Sequence, residues 1–323
     1  MSKAVIVRAH GGPEVLAYED RELQPPGAGE VRVRNRAIGL NFVDAYHRSG
    51  LYPTELPFVA GSEGAGDVEA VGEGVTDVAV GDRVTYAGPL GSYAEERNLP
   101  AGRVAKIPDG VTYEQAAALT LKGITAYYLI FQTWPLKAGE TILFHAAAGG
   151  VGSIVTRWAK ALGARVIGTA GSPEKAALAR AAGADAVIEY RTEDFAKRVR
   201  DLTDGRGVDV VYDGVGNDTF LGSLDSLRPR GLLVSFGNAS GPVSIPDLGI
   251  LSRKGSLYVT RPTTATYMAS TEELRTAVQA VFDALTAGSI EVQVGQRFAL
   301  SEAADAHRAL EGRRTTGSTI LLP

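Results

Sequence analysis

Apolar and polar residues alternate in short runs through the first third of the chain. "EVRVRNRAIG" (30–39), "AGDVEAVGEGV" (65–75), "GDRVTY" (81–86) and "GSYAEERNLP" (91–100) have the period of two expected of half-buried strands, broken by Gly and Pro. The opening "MSKAVIVRAHGGPEV" has the same rhythm. The middle of the chain follows a different pattern. Continuous apolar runs rich in Val and Ile, at 141–146, 164–170, 184–190, 208–216, 231–237 and 255–260, alternate with Ala-rich segments of helical period. In "GVGSIVTRWAKALGA", Val151, Ile154, Val155, Trp158 and Leu162 share one face, and Gly163 ends the helix. Strand and helix alternating at this spacing predict a six-stranded, doubly wound parallel sheet of Rossmann type, covered on both faces. After "RPTT" (261–264) come a helix over "TEELRTAVQAVFDALTAG", a strand, another helix and the strand "GSTILLP". These are too few to fold alone, so they are expected to return to the N-terminal β domain. The predicted organisation is an α/β nucleotide domain over 123–262, set between two parts, 1–122 and 263–323, of a mainly-β domain.

Composition narrows the classes of function. The 323 residues suffice for two domains, and 45% hydrophobic with 22% charged residues is ordinary for a globular protein. A net charge of −4 offers no electrostatic footprint for nucleic acid or anionic membrane. No run is long and apolar enough to span a bilayer, and the start lacks the basic-then-apolar design of a signal peptide, so a cytoplasmic protein is expected. Cysteine is absent, which removes disulfides, thiolate nucleophiles and cysteine-bound zinc together.

One loop carries chemistry. "HAAAGGVGS" (145–153) follows a strand and opens a helix, with Ala147, Gly149 and Gly152 in the three positions of G-x-G-x-x-G. A tight turn, close approach to a pyrophosphate and close packing of helix on strand each favour a minimal side chain there. The free N–H groups of the helix start then face the anion. Gly149, Gly150, Val151 and Gly152 are the candidate pyrophosphate residues. At the end of the next strand, where an acid would accept from an adenosine ribose 2′-hydroxyl, the chain has "GTAGSPEK". Ser172 suits the helix cap and Pro173 the first helical position. Lys175 then works against the helix dipole unless an anion lies close by. With Gly171, Ser172 and Tyr190, it forms a candidate pocket for a 2′-phosphate, which predicts NADPH over NADH.

The segments "GLNFVDAYHRSGLYP" (39–53), "GSEGAGDVEAVGEGV" (61–75), "LKGITAYYL" (121–129) and "HAAAGGVGS" resemble the medium-chain dehydrogenase/reductase superfamily. They most resemble its quinone oxidoreductase branch, which includes the zeta-crystallins. The likeness runs essentially end to end. It implies a GroES-like catalytic domain beside the Rossmann domain, the cofactor in the cleft between them, and a homodimer. Position by position, it implies that Asn41, Asp44, Tyr46 and Tyr52 face the nicotinamide, with Asn41, Tyr46 and Tyr52 as candidate catalytic residues. Ser62 and Thr125 would lie near its carboxamide or the phosphates, and Phe236 and Gly237 near its ring. Arg313, with Arg314 beside it as the alternative, would join Lys175 at the 2′-phosphate. Ser62 keeps the hydroxyl of the Thr that relatives often have before the Glu of "GSEGAG".

The zinc alcohol dehydrogenases of the superfamily supply Cys where this chain has Asn41 and His where it has Ser62. Glu63 remains, with Asp44 and His47 nearby, but catalytic zinc takes three protein ligands and an open position. No metal is expected. The implied activity is zinc-independent reduction of a quinone by NADPH. No general acid stands out, which fits an easily reduced acceptor. An enone or enoyl reductase on the same scaffold is the alternative, and a structural or RNA-binding zeta-crystallin relative is the alternative of another class. His47, His145 and His307 are read as structural or solvated, with His145 inside a strand, and Arg261 as a hinge or a cofactor contact.

Overall fold

The computed structural model describes residues 2–245 and 247–323. The chain divides into two units, one running to Gly123 with Ser270–Phe282 and Val292–Pro323, the other Ile124–Ala269 with Asp283–Glu291. The return thus lies several residues beyond 263. A short helix at Thr264–Tyr267 still belongs to the nucleotide unit, where the Tyr267 ring stacks on Tyr128 at 4.7 Å.

The first unit begins with β1 (Ser2–Val7), β2 (Leu16–Arg21), β3 (Glu30–Leu40), α1 (Phe42–Ser49), β4 (Phe58–Val59), β5 (Glu63–Val71), β6 (Arg83–Ala87), β7 (Glu96–Pro100) and β8 (Val104–Lys106). Helix α2 (Tyr113–Tyr127) follows. Strand β3 shows why the alternating pattern forms a sheet. Val31, Val33 and Asn35 point inward, while Arg34 and Arg36 pair outward with Glu69 and Asp67 across the ladder. Val31, Val33, Val68, Val84 and Leu99 form one core cluster, and Val5, Val7, Ile38, Leu40 and Leu321 another.

The second unit holds β9 (Thr141–Phe144), α3 (Gly150–Ala161), β10 (Arg165–Ala170), α4 (Pro173–Ala181), β11 (Ala186–Glu189), α5 (Phe195–Leu202), β12 (Val208–Asp213), α6 (Phe220–Ser226), β13 (Leu227–Ser235), α7 (Gly249–Arg253) and β14 (Tyr258–Thr260). All six strands are parallel, in the order β11-β10-β9-β12-β13-β14. Every residue of β9 and β12 is buried, as the continuous apolar runs require of a sheet covered on both faces. Strand order reverses on either side of β9, so the loop leaving β9 lies at the topological switch point, where ligands bind in open α/β sheets.

The remaining elements are the helix Thr264–Tyr267 (α8), α9 (Thr271–Thr286), β15 (Val294–Ala299), α10 (Ala303–Glu311) and β16 (Ser318–Leu322). As expected from the count of elements, β16 pairs with β3 and so completes the first unit's large sheet.

Candidate functional site

In the nucleotide unit, β9 ends at Phe144, two residues short of the expected run 141–146, and His145 is the first residue of the loop rather than part of the strand. Gly149 caps α3 in extended conformation. A Cβ on Gly152 would meet the Ala146 carbonyl oxygen at 2.5 Å and Ala147 Cα at 2.8 Å, so the close turn needs glycine there. Ala147 is fully buried in the first motif position, and its N–H donates to Thr169 O across to β10. Gly149, Gly150 and Val151 line the helix start and are half-buried. This is the shape a pyrophosphate occupies: a bare backbone turn, then a helix of twelve residues with its N–H groups leading.

The loop is braced from beneath by a buried polar network. His145 Nε2 lies 2.9 Å from Ser223 Oγ, which donates to Asp213 Oδ2 at 2.8 Å. His145 Nδ1 lies 3.1 Å from Thr169 Oγ1, and that oxygen accepts the Ala146 N–H. Asp213 Oδ1 also takes the N–H groups of Val215 and Gly216 and the Thr219 hydroxyl. Burial lowers the His145 pKa, against the pull of Asp213, so the ring is neutral and bridges two hydroxyls.

At the end of β10, a Cβ on Gly171 would meet the Tyr190 hydroxyl at 2.6 Å. Glycine there lets the tyrosine close over the turn. Ser172 Oγ accepts the Lys175 N–H and caps α4, and Pro173 opens the helix. Gly171, Ser172 and Lys175 come from the end of β10 and the helix it feeds, and Tyr190 from the end of the neighbouring strand β11. Phe236 and Gly237 follow β13, and the Phe236 N–H donates to Asp213 O. Arg261 Nη1 donates to the carbonyls of Ser235 and Gly237, which makes it a brace for this turn. Thr125 is buried on α2.

In the catalytic unit, Asn41 caps α1, and its N–H donates to Asp44 Oδ2 at 2.9 Å. Asp44 is 1% exposed, so it supports its neighbours from behind. Its Oδ1 takes the Ser62 hydroxyl at 2.6 Å and its Oδ2 the Tyr93 hydroxyl at 3.2 Å. Tyr46 and Tyr52 are half-buried with ring centroids 5.2 Å apart, and Tyr52 N–H donates to Tyr46 O. Arg313 is exposed in the turn after α10, with φ of 56°.

Sequence reasoning missed Lys122. Its Nζ lies 2.9 Å from Glu63 Oε1, and both groups are buried. Glu63 also accepts Asn41 Nδ2–H at 2.7 Å and the Leu121 N–H at 2.7 Å. The carboxylate that remains from the zinc pattern is thus filled by an ammonium and two N–H donors. Among the described residues, no cluster of three or more His, Asp or Glu side chains could hold a metal ion. A lone lysine inside the apolar stretch "AAALTLKGITAYYL" was the available signal. His307 is fully buried and bonded to Tyr93 and Arg48, which excludes the solvated reading.

A six-stranded Rossmann sheet, a glycine loop at its switch point and a separate mainly-β unit define the medium-chain class of nicotinamide-dependent dehydrogenases and reductases. Two family models match accordingly, an alcohol dehydrogenase GroES-like domain over residues 27–109 and a zinc-binding dehydrogenase over 150–283. The chain is 59% identical over 325 residues to a Pseudomonas aeruginosa quinone oxidoreductase, covering all of both. A solved Escherichia coli quinone oxidoreductase complexed with NADPH superposes with a TM-score of 0.98 at 49% identity, covering 99% of this chain and 100% of that one. A Burkholderia 2-haloacrylate reductase is 47% identical over 100% of this chain and 99% of its own. This chain belongs to the quinone oxidoreductase family of the superfamily.

Proposed function

We propose that this protein reduces quinones with NADPH and does so without zinc. The observation that carries the reading is the coincidence of a bare-backbone pyrophosphate loop with the Gly171–Ser172–Lys175–Tyr190 cluster. That cluster presents an ammonium and hydroxyls where a 2′-phosphate-free nucleotide would call for an acid. The bound cofactor supplies a hydride from its dihydronicotinamide. Gly149, Gly150, Val151 and Gly152 hold the pyrophosphate, and Arg313 joins Lys175 at the 2′-phosphate. Asn41, Ser62 and Thr125 meet the nicotinamide end, Phe236 and Gly237 its ring, and Tyr46 and Tyr52 present hydroxyls to the acceptor's oxygens. The Lys122 ammonium holds Glu63, and through it Asn41, in a fixed geometry where zinc relatives place their metal.

The nucleotide-binding core lies within about 123–262 in this reading, the protein is cytoplasmic, and two copies pair through the exposed edge of β14, where Tyr258 is 61% exposed. Light scattering at micromolar concentration tests the pairing, and a monomeric mass contradicts it. The activity is tested by NADPH oxidation with a benzoquinone and a cyclic enone side by side. Fast quinone turnover is expected. Turnover of the enone alone moves the enzyme to alkene reduction, and silence with both contradicts the reading.

A further inference from the structure

Reduction of a quinone by a hydride leaves an oxyanion that needs one proton, and the sequence offers no evident acid. The structure buries a carboxyl, Asp44, directly behind Ser62. Asp44, Tyr93, His307 and Arg48 form a continuous hydrogen-bonded row in which each member is at most 2% exposed, while Ser62 and Asn41, at 8% and 9%, are the neighbours that retain surface.

The direction of every bond in the row follows from Arg48. A guanidinium only donates, so its Nη1, 3.0 Å from His307 Nδ1, makes that nitrogen an acceptor. The His307 proton therefore sits on Nε2 and is donated to the Tyr93 oxygen at 3.1 Å, and the Tyr93 hydroxyl donates to Asp44 Oδ2. Oδ2 also takes the Asn41 N–H. Two fixed donors point at Oδ2, whereas Oδ1 has only the Ser62 hydroxyl, 2.6 Å away. That rotatable hydroxyl donates to Oδ1 when the carboxyl is ionised and accepts from it when Oδ1 carries the proton. Arg48 is pinned in turn by Glu311 and by Gly11 O, so the far end of the row is locked.

We propose that Ser62 is the catalytic proton donor to the acceptor's oxyanion and that Asp44, acting through it, is the positioning residue that holds the proton. This rests on the quinone-reductase reading and on Ser62 meeting the nicotinamide end. The Ser62 O–H bond breaks as an O–H bond forms on the oxyanion. At the same time the Oδ1–H bond of Asp44 breaks and the proton passes to Ser62 Oγ. The product is the neutral hydroquinone and Asp44 is left as a carboxylate, which water reprotonates by the reverse path once the product has gone.

The charged and titratable groups around Asp44 favour this role. Burial and the Glu63 carboxylate raise its pKa to about 6 against the hydrogen bonds from Ser62, Asn41 and Tyr93. The positive charges of Lys122 and Arg48 are taken up by Glu63 and Glu311. His307 is held neutral by burial beside Arg48, and burial raises the Tyr93 hydroxyl well above its usual range, so neither drains the proton.

Ser62→Ala is expected to lower kcat for NADPH-driven benzoquinone reduction about 100-fold, the usual contribution of a placed acid, a loss much larger than any change in KM for NADPH. Ser62→Thr, which keeps the hydroxyl, restores it. In the wild type, kcat falls as pH rises through the Asp44 ionisation, and Asp44→Asn flattens that profile. Infrared titration of the whole protein reports the carboxyl directly. A protonated-carboxyl band that disappears with rising pH, is missing in Asp44→Asn and shifts in Ser62→Ala supports the pair, even if Asp44→Asn turns over too poorly for kinetics. A Ser62→Ala enzyme within about threefold of wild type, or a band unmoved by that substitution, overturns the proposal while wild-type quinone turnover stands. Absence of wild-type turnover overturns the functional reading instead, and the infrared band then decides the Asp44–Ser62 pair separately.

Discussion

Each unit buries an aspartate and a histidine among hydroxyl side chains beside its site. In the nucleotide unit, Asp213, His145, Thr169, Thr219 and Ser223 spend their hydrogen bonds on one another and on the backbone of Ala146, Val215 and Gly216. In the catalytic unit, Asp44, Tyr93 and His307 form a row that is locked at Arg48 and opens at Ser62. The closed network holds a loop still, and the role proposed for that loop rests on its backbone N–H groups. The open one ends on a hydroxyl that can exchange its proton. Buried polar groups serve shape when every partner is internal, and reactivity when one partner is left at the surface.

The contrast can be broken first at the loop. Gly152→Val places a Cβ against Ala146 O and is expected to abolish binding of both NADPH and NADH, measured by fluorescence titration; retained binding of either contradicts the loop assignment. In the catalytic unit, Lys122→Met leaves the buried Glu63 carboxylate without its cation and is expected to cost about 3–5 kcal/mol in urea unfolding. The double variant with Glu63→Gln is expected to recover much of that. Lys175→Ala is expected to weaken NADPH by about 1.5–3 kcal/mol, the range of a charged hydrogen bond, and to leave NADH nearly unchanged. Equal loss for both in calorimetry removes the phosphate assignment.

The smallest effect is a pH slope. Asp44, raised from 3.8 to about 6, keeps in the folded state a proton that the unfolded chain releases, so its contribution falls as pH rises through that window. His307, lowered from 6.5 to about 3, refuses a proton that the unfolded chain takes, so its contribution grows as pH rises through the range between those values. The two oppose each other where the windows overlap. Unfolding free energy of Asp44→Asn should therefore climb more steeply with pH than that of the wild type between about pH 4 and about 6; parallel curves contradict the assignment.

Much of the fold was legible from periodicity, since β9 to β14 are continuous apolar runs and α3 has a clear apolar stripe. The glycine turn between β9 and α3 and the Ser172 cap were legible because glycine positions and helix caps are local rules. The catalytic network was not. Lys122 meets Glu63 across 59 positions, Tyr93 meets His307 across 214, and Arg48 meets His307 across 259. No local pattern marks a histidine on the apolar side of α10 as the partner of a tyrosine in another element. The last residue of β9 was missed for a subtler reason: His145 continues the apolar run in spacing, yet its ring is spent on Thr169 and Ser223, and the chain has already turned.

The central claim is that an ammonium and hydroxyls select NADPH and that Lys122, rather than a metal, fills the place beside Glu63. It is tested most directly by benzoquinone-dependent oxidation of NADPH and NADH by enzyme before and after treatment with a strong chelator. Turnover that is selective for NADPH and undiminished by the chelator is the expected result. Equal use of the two nucleotides, or activity lost with the chelator and restored by zinc, would contradict it.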